Sequence, residues 1–214
     1  MDSHLKSSEE VVAAYAALRT RTLDLIRTCD QGKGELRVPH CPAWTVRELV
    51  AHMVGVPEDI LAGRLEGVTT EAWTQAQVDR HRGDSLVDLA DKWASNATTF
   101  DPVLAMIPEP VNSQVVFDVT THEHDLRHAL GVPGARDSAA IAVSVGWIFD
   151  AADKREGGSA AQLRALGLDD FTLMRVFTGR RSRNQIEALG LDADDIAHWL
   201  ESTPLSLSIN DIDE

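Results

Sequence analysis

A segment in the middle of the chain places a histidine within an apolar helical pattern. Between Pro110 and Gly131, four apolar residues and one histidine follow one another at spacings of four, three, four and three: Val115, Val119, His122, Leu126 and Ala129. This spacing is that of one face of an α-helix, and in a folded domain such a face turns toward the core. The segment therefore predicts a long helix that carries a histidine into the protein interior, and Gly131 with Pro133 predicts its end.

Most of the remaining chain shows the same helical periodicity, and no stretch alternates strictly between apolar and polar residues. Further long helices are predicted over 8–29, from Thr45 to the mid-60s, from Leu86 through Phe100, and over 138–152. Shorter helices are predicted over 70–81, 171–177, 182–189 and 192–201. Aromatic residues make up only 5% of the chain, which suits helix packing through small aliphatic side chains. The predicted fold class is all-α.

Local signals refine this prediction. Thr45 and Glu48 form a capping box at the start of the second long helix, and Pro57 within that helix predicts a kink or a break. Gly63 or Gly67 would end it. The last residues, 204–214, are expected to be irregular or frayed.

The length of 214 residues suits one large domain, or a domain of about 150 residues with a small annex. We expect a helical bundle over residues 1–155 and a small helical C-terminal extension, 156–214, packed on it.

The charge and hydropathy of the chain disfavour nucleic acids and membranes as partners and indicate where the protein is located. With 34 acidic and 20 basic residues, the formal net charge is -14, so nucleic acids and anionic membranes are disfavoured. No window reaches 18 consecutive apolar residues, and the first ten residues lack the apolar region of a signal peptide. A cytoplasmic location is expected. Cys29 and Cys41 are interpreted as reduced thiols, with a functional thiol at Cys41 a weaker alternative.

Two predicted helices carry the residues that point to chemistry. In the second long helix, His52 shares a face with Leu49, Val56 and Ile60, while Asp118 lies one turn before His122 in the helix described first. Two inward imidazoles and a carboxylate are a common ligand set for Zn²⁺ or Fe²⁺ that leaves coordination positions open. The pattern therefore favours a metal site.

Simpler interpretations stay open at this point. A histidine on an apolar face is also satisfied by a hydrogen bond in a purely structural bundle, and Asp118 could stabilise an early helix turn through the helix dipole. His124 and His128 are expected on a solvated face. Asp125 could orient a ligand histidine or be a surface charge.

Two motifs resemble a known family. The stretch from Trp44 to His52, Trp-Thr-Val-Arg-Glu-Leu-Val-Ala-His, and the segment from Asp118 to Gly131, Asp-Val-Thr-Thr-His-Glu-His-Asp-Leu-Arg-His-Ala-Leu-Gly, are similar to those of the mycothiol-dependent maleylpyruvate isomerase family. That family belongs to the DinB-like four-helix metal-binding bundles. Arg82-Gly-Asp-Ser-Leu86 and Thr178-Gly-Arg-Arg-Ser182 also look like segments of its members.

The resemblance implies a fold, a ligand set and an activity. The fold would be a DinB-like four-helix bundle with additional short C-terminal helices, and the metal ligands would be His52, Asp118 and His122. The family usually has glutamate where this chain has Asp118, so the shorter side chain requires a slight helix shift or a bridging water. The metal would be divalent, Zn²⁺ by expectation, and mycothiol would be the thiol cosubstrate.

The implied function is that of a thiol-dependent isomerase or S-transferase acting on a small electrophilic metabolite, with the thiol and the electrophile as partners. The alternative is a non-catalytic bundle that binds a metal or a small ligand. Arg180 and Arg181 are interpreted as structural, with an anionic substrate as the second choice. The oligomeric state is open, and because helical bundles with apolar surface helices often pair, a homodimer is one alternative.

Overall fold

Helices make up most of the computed structural model, which describes residues 3–201, 203 and 205–214. The first part of the chain forms α1 (Ser8–Thr28), a 3-10 turn (Gln31–Glu35), β1 (Arg37–Val38), β2 (Cys41–Thr45), α2 (Val46–Ala62), α3 (Glu71–Arg80), α4 (Leu86–Ser95), α5 (Ala97–Met106) and α6 (Val111–Leu130). The second part forms α7 (Ala139–Lys154), α8 (Ala160–Ala165), α9 (Asp170–Phe177), α10 (Arg183–Ala188) and α11 (Ala193–Leu200). The all-α prediction is confirmed.

Helices α1, α2, the α4–α5 pair and α6 pack around one apolar core, as a DinB-like four-helix bundle does. Tyr15, Leu49, Trp93 and Leu126 are among its buried residues, one from each side of the bundle. A second apolar cluster lies between α7 and the helices that follow it, with Ile148, Met174 and Ile196 in its centre. Helix α7 contributes to both clusters, and it packs against α6 as well as α9.

The local signals in the sequence place most helix ends correctly. The Thr45 hydroxyl accepts the Glu48 N–H while the Glu48 carboxylate accepts the Thr45 N–H, so the predicted capping box starts α2. Gly63 and Gly131 end α2 and α6 with φ angles of 67° and 70°, a conformation that glycine adopts without a Cβ penalty. Helix α2 continues through Pro57, which excludes a break, one of the two alternatives predicted there.

The predicted third long helix is in fact two helices, α4 and α5, that meet at Asn96. The segment around this point is rich in Ser, Asn and Thr, whose side chains compete for backbone hydrogen bonds. The Ser95 hydroxyl donates to the Lys92 carbonyl at 2.8 Å. Trp93 and Phe100 on either side are still buried in the same core.

Three smaller features among the described residues were not predicted: the 3-10 turn, helix α8 and the antiparallel hairpin of β1 and β2. The hairpin carries Cys41 and Trp44 to the bundle, where both pack against its core.

The C-terminal segment is irregular, as predicted, but over 205–214 it is not frayed. The Gln185 side-chain amide donates to the Ile212 carbonyl at 3.1 Å, and Ser182 forms a parallel bridge with Ser208. The predicted tail began at Pro204, which lies outside the described residues, as do Met1, Asp2 and Ser202. Within the described part of the chain, no helix combines the length and the apolar character that crossing a membrane requires.

Candidate metal centre

His52, Asp118 and His122 meet between α2 and α6. One donor atom from each lies within 4.8 Å of the other two. His52 Nε2 is 3.5 Å from one Asp118 carboxylate oxygen, and His122 Nε2 is 3.7 Å from the other. Both histidines are buried, whereas the Asp118 side chain is 38% exposed. The three residues singled out in the sequence therefore converge, with solvent access on the carboxylate side.

The spacing of these groups fits a divalent cation. Ligands held 2.0–2.2 Å from a tetrahedral ion lie about 3.3–3.6 Å apart, and two imidazoles on such an ion have ring centroids about 5 Å apart. The His52 and His122 ring centroids are 4.9 Å apart, and their planes are nearly perpendicular. Asp118 therefore places one carboxylate oxygen within 3.7 Å of Nε2 of each imidazole.

A buried hydrogen-bond chain orients His52. Its Nδ1 lies 2.6 Å from Gln77 Oε1, and the Gln77 amide nitrogen donates to Asp59 at 2.8 Å. Because the amide group of Gln77 is committed as a donor to Asp59, its carbonyl oxygen is left to accept from His52. Nδ1 of His52 therefore carries the proton, and the lone pair of Nε2 points toward Asp118 and His122. Metal-binding histidines are commonly held in this way.

His122 is oriented by a second buried network. Its Nδ1 lies 3.1 Å from an Asp125 carboxylate oxygen. Asp125 also accepts from Arg175 at 2.8 Å and from Arg180 at 2.7 Å, and none of these three charged side chains is more than 4% exposed. The His122 Nδ1–H is thus directed to the carboxylate, which leaves Nε2 of His122 available in the same way as Nε2 of His52.

The charges of the centre are strongly coupled. Burial lowers the pKa of His52, but the neighbouring Asp118 carboxylate outweighs it and raises the pKa on balance. Burial lowers the pKa of His122. Burial alone would raise the pKa of Asp118, yet the nearby His52 lowers it. The Asp118 carboxylate therefore favours a positive charge at this point, and a cation bound between the three groups would supply it.

The β-hairpin closes one side of the centre. The Trp44 ring lies 5.3 Å from the His52 ring and 6.0 Å from the His122 ring, centroid to centroid. Cys41 Sγ is 3.4 Å from the Arg180 guanidinium and 3.6 Å from Asp125. Burial raises the pKa of Cys41 to about 12, so this thiol is protonated near neutral pH. The structure gives Cys41 a packing role beside the Asp125 network.

Some predictions about neighbouring residues were wrong. His124 is 3% exposed and its ring lies edge-on to Phe171 of α9, so it is not on a solvated face. His128 is half-buried. Asp125 proves to be the group that orients His122, the first of the two roles considered for it. Arg180 and Arg181 form ion pairs with the carboxylates of Asp125 and Glu214, which agrees with the structural role predicted for them.

Other site residues carried no recognisable signal in the sequence. Gln77 lies on α3, 25 residues after the histidine that it contacts, and Arg175 lies 50 residues after Asp125. Glu214, which accepts from Arg175 at 2.7 Å, lies in the segment expected to be irregular or frayed. Contacts over such separations do not appear in helical periodicity.

Comparison with known proteins places this arrangement in a family. The model of the mycothiol maleylpyruvate isomerase N-terminal domain matches residues 15–130, which is more than half of the chain and includes all three converging residues. No curated protein and no solved structure gives a significant match. The matched region runs from within α1 to the end of α6 and therefore spans the four-helix bundle. Together with the two histidine motifs and the bundle that brings them together, this match shows that the chain belongs to the mycothiol maleylpyruvate isomerase N-terminal domain family.

Proposed function

We propose that this protein is a metal-dependent thiol enzyme, an isomerase or S-transferase that acts on a small electrophilic metabolite with mycothiol as cosubstrate. The observation that carries the proposal is the convergence of His52, Asp118 and His122, each imidazole presenting Nε2 and each held through Nδ1. These residues would bind Zn²⁺. When bound, the cation lowers the pKa of a coordinated thiol and supplies a thiolate near neutral pH.

The protein's own groups would orient and protect this chemistry. Gln77 and Asp125 hold the two imidazoles in the tautomer that binds a metal, and Trp44 covers them on the hairpin side. The exposed edge of Asp118 marks the side from which a thiol and an electrophile can approach. Because three protein ligands leave a tetrahedral ion with an open position, the site suits catalysis better than a purely structural role.

Zinc binding tests the first half of the proposal. Isothermal titration should show tight binding by the wild type, and loss of that site in His52→Ala and in His122→Ala. His198→Ala is the matched control, because the His198 side chain is exposed and its ion-pair partner among the described residues is Glu201. Equal binding by all four proteins would show that the triad does not hold the metal.

Thiol chemistry tests the second half. The zinc-loaded protein is incubated with mycothiol and maleylpyruvate, or with a set of small electrophiles, and products are followed by mass spectrometry. Isomerised substrate or an S-conjugate that is lost in His122→Ala would support the proposal. Stoichiometric zinc with no turnover of any electrophile would instead support the alternative, a bundle that binds a metal or a small ligand without catalysis.

A further inference from the structure

A second group of metal-binding side chains lies near the C-terminal end of α6. His40 belongs to the turn of the β-hairpin, His128 lies six residues beyond His122 on α6, and Glu214 comes from the C-terminal segment. Six helical residues correspond to about 9 Å along the axis, so this group is separate from the triad. One donor atom from each of the three residues lies within 4.8 Å of the other two.

His40 provides the strongest evidence for this group. Its side chain is 1% exposed, and neither ring nitrogen makes a well-aligned hydrogen bond to any described residue; Nε2 has only a 3.4 Å contact with the Glu214 carboxylate among the ion pairs of the described residues. Burying ring nitrogens without a hydrogen bond costs free energy, and a bound cation is one partner that would offset this cost. Burial also lowers the pKa of His40 and favours the neutral ring that a cation requires.

The distances agree with shared coordination. His40 Nε2 is 3.4 Å from the nearer Glu214 carboxylate oxygen, which matches the separation of about 3.3–3.6 Å between ligands of a tetrahedral ion. The ring centroids of His40 and His128 are 5.0 Å apart. The corresponding distance between His52 and His122 in the triad is 4.9 Å.

The Glu214 carboxylate has one oxygen that accepts from arginines and one that could coordinate a cation. One of its oxygens accepts from Arg175 at 2.7 Å and from Arg181 at 2.5 Å, while the other oxygen faces His40. Although burial acts in the opposite direction, His40 and these arginines hold the pKa of Glu214 far below its ordinary value. The carboxylate is therefore ionised, and its unshared oxygen is free to coordinate.

A cavity of about 210 Å³ adjoins the group and is lined by His128, Glu214 and His124, among others. Nε2 of His124 is buried and has no hydrogen-bond partner among the described residues. The cavity offers a route of entry and room for water or an external ligand on the open side of a cation.

We propose that His40, His128 and Glu214 form a second divalent metal site, of the class that binds Zn²⁺, with an open position toward this cavity. The inference is independent of the proposed function, because it shares no ligand with the triad. A cation bound there would tie the hairpin, the end of α6 and the C-terminal segment together.

Metal stoichiometry tests this inference. The full chain is dialysed against Zn²⁺ and analysed for bound metal, in parallel with Co²⁺ titrations followed by visible absorption. We expect two equivalents in the wild type and in His198→Ala, and one each in His40→Ala and in the double variant His52→Ala/His122→Ala. Combining all three substitutions should abolish binding.

The outcomes separate the two sites. If the wild type binds one equivalent and the double triad variant binds none, the second site is overturned while the triad stands. If both proteins bind one equivalent, the second site stands and the triad fails. Should His40→Ala not fold, His128→Gln replaces it, and anomalous scattering at the zinc edge locates the ions in the wild type. A zinc-soaked crystal without a peak between His40, His128 and Glu214 would overturn the proposal.

Discussion

Replacement of Asp125 by asparagine removes a buried negative charge with almost no change in side-chain volume. Arg175 and Arg180 both donate to this carboxylate, and all three side chains are at most 4% exposed. Breaking a buried ion pair by removing one partner costs about 3–5 kcal/mol, because a charge is left without compensation. In a chain of this size about 2–4 °C of melting temperature corresponds to each kcal/mol, so Asp125→Asn should melt about 6–20 °C below the wild type.

The same substitution should weaken metal binding. Asp125 accepts from Nδ1 of His122, and loss of such an orienting group typically lowers metal affinity about 10–100-fold. Thermal unfolding followed by circular dichroism measures the melting temperature, and zinc titration measures the metal affinity. Asp91→Asn is the matched control, because the Asp91 pair with Arg27 is largely exposed and should contribute little.

The pH dependence provides a further check on this reasoning. Burial raises the pKa of Asp125, but Arg180 and Arg175 outweigh it and hold the pKa well below its ordinary value. The charge therefore contributes its full stability above the unfolded pKa of about 3.9, and this contribution is lost as the pH falls toward the folded value. The difference between wild type and Asp125→Asn should be constant from neutral pH to about pH 5 and shrink below about pH 4. A melting temperature within about 2 °C of the wild type, or a difference that disappears by about pH 6, would refute the argument.

Three further predictions concern the surroundings of the triad. Gln77→Leu removes the acceptor for Nδ1 of His52 and should lower zinc affinity about 10–100-fold relative to the wild type; equal affinities of the two proteins in a zinc titration would contradict this. Gly55→Ala would place the new Cβ 2.5 Å from Gln77 Cβ, so the free energy of unfolding measured in urea should fall by about 1–3 kcal/mol. Unchanged stability would show that α3 moves away from α2 at no cost. Cys41, whose pKa burial raises to about 12, should resist iodoacetamide at neutral pH in the folded protein and react after denaturation, as mass spectrometry of the peptides would reveal; rapid labelling in the native state is the contrary result.

The helices themselves could be predicted because their signals are local. The Thr45–Glu48 capping box, the left-handed glycine at position 131 and the four-three spacing around His122 each act within a few residues of chain. The break at Asn96 escaped prediction because the apolar periodicity continues across it, from Trp93 to Phe100. At Pro57 the sequence suggested an interruption that does not occur, since α2 continues through this residue within the buried core.

The burial of His124 and Asp125 shows where local reasoning ends. His124 lies off the apolar seam of α6, so a helix considered alone assigns it to solvent. Asp125 lies three residues after His122, so the same helix leaves a surface charge and a role in orienting that histidine equally open. In the fold, Phe171 of α9 covers His124, and Arg175 and Arg180 compensate the charge of Asp125. A polar face can be buried when another part of the chain supplies the partners, and a pattern within one helix carries no information about those partners.

The amino-acid sequence alone determined that two helices each turn a histidine inward and that a carboxylate lies one turn before the second, because side-chain direction in a helix follows from residue spacing. Tertiary structure decided which nitrogen of each ring faces the centre, since Gln77 and Asp125 accept from Nδ1 only once distant segments have packed. It also decided that His40, His128 and Glu214 meet, because a hairpin turn, a helix end and the C-terminal segment become neighbours only in the folded chain.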